Sequence, residues 1–349
     1  MKSKKPTIDD VARVSGVARV TVSRVLNGGP NVRDEVRDRV MRAVESLDYK
    51  VNPQARSLAG GASRLLAFVF ASDPDKEPNS YYESALELGA LRACLALGYQ
   101  VLIQNVPQNT PDRQKRVMDL ITTQRCEGLI LSPPYSDDVE LIDAALALGC
   151  RVVAVSPGGM GRGRADSVGI DDEAGGYDMA RELLRLGHRR FGFIAGLEGH
   201  LSADRRLEGF KRALAEQGLG DEAYVMVRGD FTFRSGTRLA PELLDHALKP
   251  TVLVCANDDM AAGGLSAAHA RGLSIPGDLS ITGFDDAPVA GIVWPPLTTV
   301  NQPVKDLGQR AVELLVARLT GANLASEPVF HLLDHMVVSR QTTAPLPGR

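Results

Sequence analysis

The chain has 349 residues, more than one hydrophobic core usually supports, so two or three domains are expected. Apolar residues make up 44% and charged residues 24%, an ordinary globular balance, and the net charge of −3 singles out no partner. The charge is unevenly spread: residues 1–63 hold twelve Lys or Arg against seven Asp or Glu, leaving 28 basic and 36 acidic residues elsewhere, and a basic head on an acidic body points to phosphate at the head.

From the N-terminus, Thr7 is placed to cap a helix whose third position is Asp10, with Ile8, Val11 and Ala12 on its apolar face, interrupted at Ser15-Gly16-Val17. The opening MKSKKPTIDD has no apolar stretch of a secretory signal. A second helix is expected from about Arg19 to Leu26, ended by Asn27-Gly28-Gly29-Pro30. A third, from about Arg33 to Leu47, puts Val36, Val40, Val44 and Leu47 on one side. Asn52-Pro53 then opens a linker, Gln54 to Leu58, too short to be helical without a partner.

From Leu65 the pattern changes to alternating strands and helices. Strands are expected at Leu65–Ala71, Val101–Val106, Gly128–Leu131 and Val152–Val155, and helices near Tyr82–Leu97, Arg113–Thr123 and Val139–Leu148. A second series follows, with strands at Ser167–Ile170, Phe191–Ala195, Tyr224–Val227, Val252–Ala256 and Ile281–Phe284. Its helices fall near Ala174–Leu186, Ala203–Glu216, Ser235–Leu248 and Asp259–Ala270. The expected fold class is an all-α head followed by an α/β core of two doubly wound parallel-sheet lobes, with a cleft between them where strand ends collect ligand groups. Cys94, Cys126, Cys150 and Cys255 form no CxxC pair and match no zinc spacing, so buried thiols in a reducing compartment are expected, with no metal and no cofactor. No apolar run is long enough for a bilayer, and a cytoplasmic location is expected.

Residues 8–27, IDDVARVSGVARVTVSRVLN, meet the steric demands of a helix-turn-helix. Ala12 is small at the helix crossing, Gly16 suits a left-handed backbone, and Val11, Val17, Val22 and Leu26 supply the interior. The second helix exposes Arg19, Val20, Thr21, Ser23 and Arg24, long cations suited to guanine edges and hydroxyls suited to phosphate. An ordinary helical hairpin with a charged face is the plain alternative on pattern alone.

GVARVTVSRVLN, followed by LDYKVNPQARSLAGG, closely resembles the head and hinge of the lactose/galactose repressor (LacI/GalR) family. VLVCANDDMAAG, PGDLSITGFDDAPVA and WPPLTTVNQP extend the resemblance over the rest of the chain. It implies a homodimeric transcription regulator, by kinship a repressor, that grips a pseudo-palindromic operator. Arg19, Val20 and Arg24 would then read bases, while Thr7, Thr21, Ser23, Asn27, Tyr49 and Asn52 touch phosphate. Ala55 and Leu58 would lie in a hinge helix that wedges the leucine into the minor groove. Ala18 and Arg33 depart from the usual Ser or Thr helix caps, which puts contacts from those positions in doubt.

The resemblance also implies boundaries: residues 1–50 the head, 51–63 the hinge and 64–345 a periplasmic-binding-protein-like core, with a tail at 346–349. Within the core, lobe one takes about 64–168 and 299–326, and lobe two about 169–298 and 327–345. Arg206, Phe231, Asn257 and Asp285 match effector contacts, with Tyr81, Tyr82, Ser132 and Ser156 as further candidates from lobe one. Their chemistry suits a sugar or small oligosaccharide; a nucleobase or nucleoside corepressor is the second reading. The acidic pairs Asp171-Asp172, Asp258-Asp259 and Asp285-Asp286 invite a carbohydrate-hydrolase reading, but adjacent acids usually point apart and caps explain them better. A solute-binding protein would share the core and have no use for the head. The glycines of Gly158–Gly163 are read as a surface turn.

Overall fold

The computed structural model describes residues 6–26, 29, 32–49, 63–73, 81–159, 161–322 and 327–346. Its contacts divide the chain into two units, Met1–Ser63 and Arg64–Arg349.

The first unit contains helices α1 (Ile8–Ser15), α2 (Arg19–Leu26) and α3 (Asp34–Ser46). Thr7 and Asp10 close a capping box, the Thr7 side chain accepting from the Asp10 amide while Asp10 accepts from the Thr7 amide. Gly16 ends α1 at φ +64, a conformation that costs a side-chain-bearing residue energy. Val11, Val22, Val25, Val40 and Ala43 form the buried centre. Val25 thus takes the place expected for Leu26, which lies half-buried at the end of α2, and Val17, Val36 and Leu47 are also only half-buried. The third helix begins with no side-chain cap at Arg33, and Asp34 and Glu35 supply the favourable charge there instead.

The second unit is built on two parallel sheets. The first has the order β11-β5-β4-β3-β1-β2, where β1 is Leu65–Phe70, β2 Gln100–Asn105, β3 Gly128–Leu131, β4 Arg151–Val155, β5 Asp166–Gly169 and β11 Phe330–Leu332. Alternation along β1 sends Leu66, Phe68 and Phe70 to one face and Ala67 and Val69 to the other. The first face is covered by α4 (Tyr81–Leu97) and α12 (Val304–Thr320), the second by α5 (Arg113–Thr122) and α6 (Val139–Ala147).

The second sheet has the order β7-β6-β8-β9, comprising β6 (Phe191–Ala195), β7 (Tyr224–Arg228), β8 (Val252–Cys255) and β9 (Ser280–Thr282). Helices α7 (Asp172–Arg185) and α8 (Leu201–Ala215) cover one face; α9 (Phe233–Asp245) and α10 (Asp258–Ala270) cover the other. Where α7 and α8 cross, a Cβ on Gly209 would lie 1.8 Å from the Glu173 carbonyl, and one on Gly176 would lie 2.0 Å from the Arg206 carbonyl. Glycine at both positions lets the two main chains touch.

The chain passes between the lobes three times. It leaves the first sheet after β5, and after the short helix α11 (Pro288–Ile292) and strand β10 (Thr299–Asn301) it returns in α12. After β11 it crosses back, and β12 (Met336–Val338) pairs antiparallel with β10. The segment 327–345, expected wholly in lobe two, is therefore split: Phe330–Leu332 pairs with Ser167–Gly169 and extends the first sheet. All four cysteines are free and buried. No described helix is long and apolar enough to cross a membrane.

Candidate functional site

Helix α2 presents a polar face away from the Val22–Val25 contacts. Val20 is 70% exposed, Arg19 and Arg24 are exposed, and Thr21 and Ser23 are half-buried. Arg19 lies 3.6 Å from Asp9 in a largely exposed pair that leaves its guanidinium free to exchange partners. Thr7 is exposed, with its hydroxyl engaged by Asp10, and Tyr49 packs on the head core. Asn27, Asn52, Ala55 and Leu58 lie outside the described residues.

In the second unit, the loops that follow the carboxyl ends of strands from both sheets enclose a cleft of about 560 Å³. Arg206, Phe231, Asn257, Asp285, Tyr82 and Ser132 all border it. Tyr81 does not border it, and Ser156 is buried behind it, accepting a 3.0 Å bond from the Tyr82 hydroxyl.

Arg206 is the electrostatic centre. It is 6% exposed, its Nε donates to Asp172 at 2.9 Å, one Nη donates to the Ala256 carbonyl at 2.8 Å, and its guanidinium lies 3.7 Å from the centre of the Phe284 ring. The same Nη is 3.8 Å from Asp285, whose carboxylate also accepts from Gln302. Burial works against the Arg206 charge, but Asp172 and Asp285 outweigh it and raise its pKa. Burial pushes the Asp285 carboxyl up to about 7 against the pull of Arg206. Burial likewise drives His200 down to about 4, with Arg206 adding to the shift, so its ring is neutral where it packs 4.8 Å from Phe231.

Asn257 borders the cleft and also has a structural role. Its Oδ1 caps α10 by accepting from the Met260 amide, and its Nδ2 donates to the carbonyl of Phe231, which is held at φ +67. With one N–H and one lone pair so engaged, Asn257 positions Phe231. The Ser132 hydroxyl is similarly committed to the Val69 carbonyl.

Each acidic pair points apart. Asp171 caps α7 while Asp172 holds Arg206. Asp258 is fully buried, accepting from the Ala287 amide and the Thr299 hydroxyl, while Asp259 borders the cleft. Asp286 pairs with Arg340 at 2.6 Å, while Asp285 borders the cleft. The glycine-rich turn also needs correction: Gly158 and Gly161 are buried, and the amides of Gly158, Gly159 and Gly161 all donate to Asp137. A Cβ at Gly158 would collide with Leu201, so only glycine admits this packing.

Sequence reasoning missed several bordering residues: Glu83, Gln108, His200, Asp230, Phe233 and Asp259. Gln108, His200, Asp230 and Phe233 lie within six residues of a strand's carboxyl end, a position that could have flagged them.

Residues 7–52 match the lacI family of bacterial regulatory proteins, and residues 180–343 match the periplasmic binding protein-like domain. Catabolite control protein A of Priestia megaterium is 31% identical, covering 97% of this chain and 99% of its own. The HTH-type transcriptional regulator CelR of Thermobifida fusca is also 31% identical, over 98% of this chain and 99% of its own; the solved CelR–cellobiose complex superimposes with a TM-score of 0.73. A lac repressor dimer bound to operator and the anti-inducer ONPF is 29% identical, covers 98% of this chain and 100% of its own, and has a TM-score of 0.82.

Proposed function

The chain belongs to the lacI family of bacterial regulatory proteins, and on that premise we propose a homodimeric repressor, located in the cytoplasm, whose operator affinity is set by a sugar held in the 560 Å³ cleft. It is a DNA-binding transcription regulator rather than an enzyme. The exposed face of α2 carries the DNA-binding role: Arg19, Val20 and Arg24 reach base edges in the major groove, and Thr7, Thr21, Ser23, Asn27, Tyr49 and Asn52 contact phosphate. Ala55 and Leu58 pair with their dimer mates in the minor groove at the operator centre. The domain boundaries follow the same reading, with residues 1–50 as head and 51–63 as hinge.

The single observation that supports the effector reading is the buried Arg206–Asp285 pair at the edge of a cleft that Phe231 also lines. A guanidinium and a carboxylate beside an aromatic ring match the hydroxyls and apolar face of a pyranose. Closure of the two lobes on the sugar shifts the population between two states that differ in operator affinity. Selection of bound fragments from genomic DNA, followed by binding with and without sugars, tests the proposal. Leu58→Ala is expected to weaken operator binding far more than binding to shuffled DNA. Equal losses on both would refute the wedge role, and no preference for any fragment would end the operator reading.

A further inference from the structure

Among the described residues the charges around the cleft do not balance: Asp73, Glu83, Asp230, Asp259 and Asp285 border it, with Arg206 as the one described cation, already engaged by Asp172 outside the lining. Some of these acids are internally supported; Asp230, for example, accepts from the Thr232 amide and hydroxyl. Asp259 is not: among the described residues it makes no hydrogen bond or ion pair. Asp285 is 6% exposed, borders the cavity, and uses only Oδ1 toward Gln302 and Arg206, so its Oδ2 has no hydrogen-bond partner among the described residues. The negative charge of Asp259 acts on Asp285 and helps raise its pKa. Across the cleft, burial pushes the Glu83 carboxyl, on α4 of the first lobe, up to about 7.

Carboxylates held near one another in a sheltered cavity are costly without a countercharge. A neutral sugar satisfies hydrogen bonds and leaves that charge uncompensated. A ligand with an ammonium group satisfies both, and the aromatic rings of Phe231 and Phe233 in the lining favour a cation further. We propose that the cleft selects a hydroxylated ring bearing a protonated amine, an amino sugar, with Asp259 as the specificity-determining residue beside Asp285. This inference rests on the sugar reading above and narrows it.

The test is calorimetry and thermal shift on the full chain near neutral pH with glucosamine, galactosamine and mannosamine, each paired with its neutral parent sugar. At least one amine is expected to bind about tenfold or more tightly than its parent. Asp259→Asn is expected to remove that preference. Asp259→Glu, which keeps the charge, is expected to retain the preference for amines. Neutral sugars binding as well as their amines would overturn the inference and leave the sugar reading intact. Binding by none of the six sugars would count against both.

Discussion

Replacing Asp285 by Asn isolates the energetic consequence of burying a carboxylate at the cleft. Asn has nearly the same volume and keeps an oxygen to accept from Gln302 Nε2, and Arg206 retains Asp172 and the Ala256 carbonyl. What disappears is the titration. Burial raises the Asp285 carboxyl from 3.8 to about 7, so the folded protein holds that proton more tightly than the unfolded chain does. The associated stability is fully present below the unfolded value of 3.8 and is lost as pH rises through about 7. About three pKa units at roughly 1.4 kcal/mol each amount to at most about 4 kcal/mol across the whole range. Between about pH 5 and about pH 8, where part of that has already been spent, wild type should lose about 3 kcal/mol more than the variant. Urea unfolding of both proteins at the two pH values measures this difference, and groups common to both cancel. Parallel stability curves would show that Asp285 stays ionised throughout, and would refute the claim that its burial dominates over Arg206.

Gly209→Ala would place a methyl group 1.8 Å from the Glu173 carbonyl, where main chain rather than a flexible side chain must yield; a loss of about 1–3 kcal/mol is expected, read as a lower thermal midpoint. An unchanged midpoint would mean that the α7–α8 crossing is looser than described. Thr7→Ala removes half of the capping box and should cost about 1 kcal/mol, seen as faster hydrogen exchange of the α1 amides alone. Arg19→Ala should cost about 1–3 kcal/mol on operator and much less on random DNA, if the side chain reads a base. Equal losses by fluorescence anisotropy would reassign Arg19 to phosphate.

The parallel core was legible because its strands are short apolar runs such as Gly128–Leu131 and Val252–Cys255, buried on both faces. The stretch from Thr299 to Val338 was less so. Strands β10, β11 and β12 have three residues each, and their partners lie far away in sequence, so no local pattern marks them. The pattern reading also passed over α12, whose apolar face is recognisable only once the first sheet is there to receive it. At the cleft, residue type identified Arg206 and Asp285 but not the division of labour between neighbours. Asn257 caps α10, which turns Asp258 inward to the Thr299 hydroxyl and leaves Asp259 at the cleft. The letters NDD are silent on which acid does which.

The glycines at the α7–α8 crossing have a mechanical consequence. With Gly176 seated against the Arg206 carbonyl and Gly209 against that of Glu173, next to Asp172, neither rod can slide without main-chain collision. The guanidinium and its carboxylate therefore form one stiff jaw. In the closure proposed above, ligand choice is made by a surface already set beforehand, and the movement reports only that the jaw is filled.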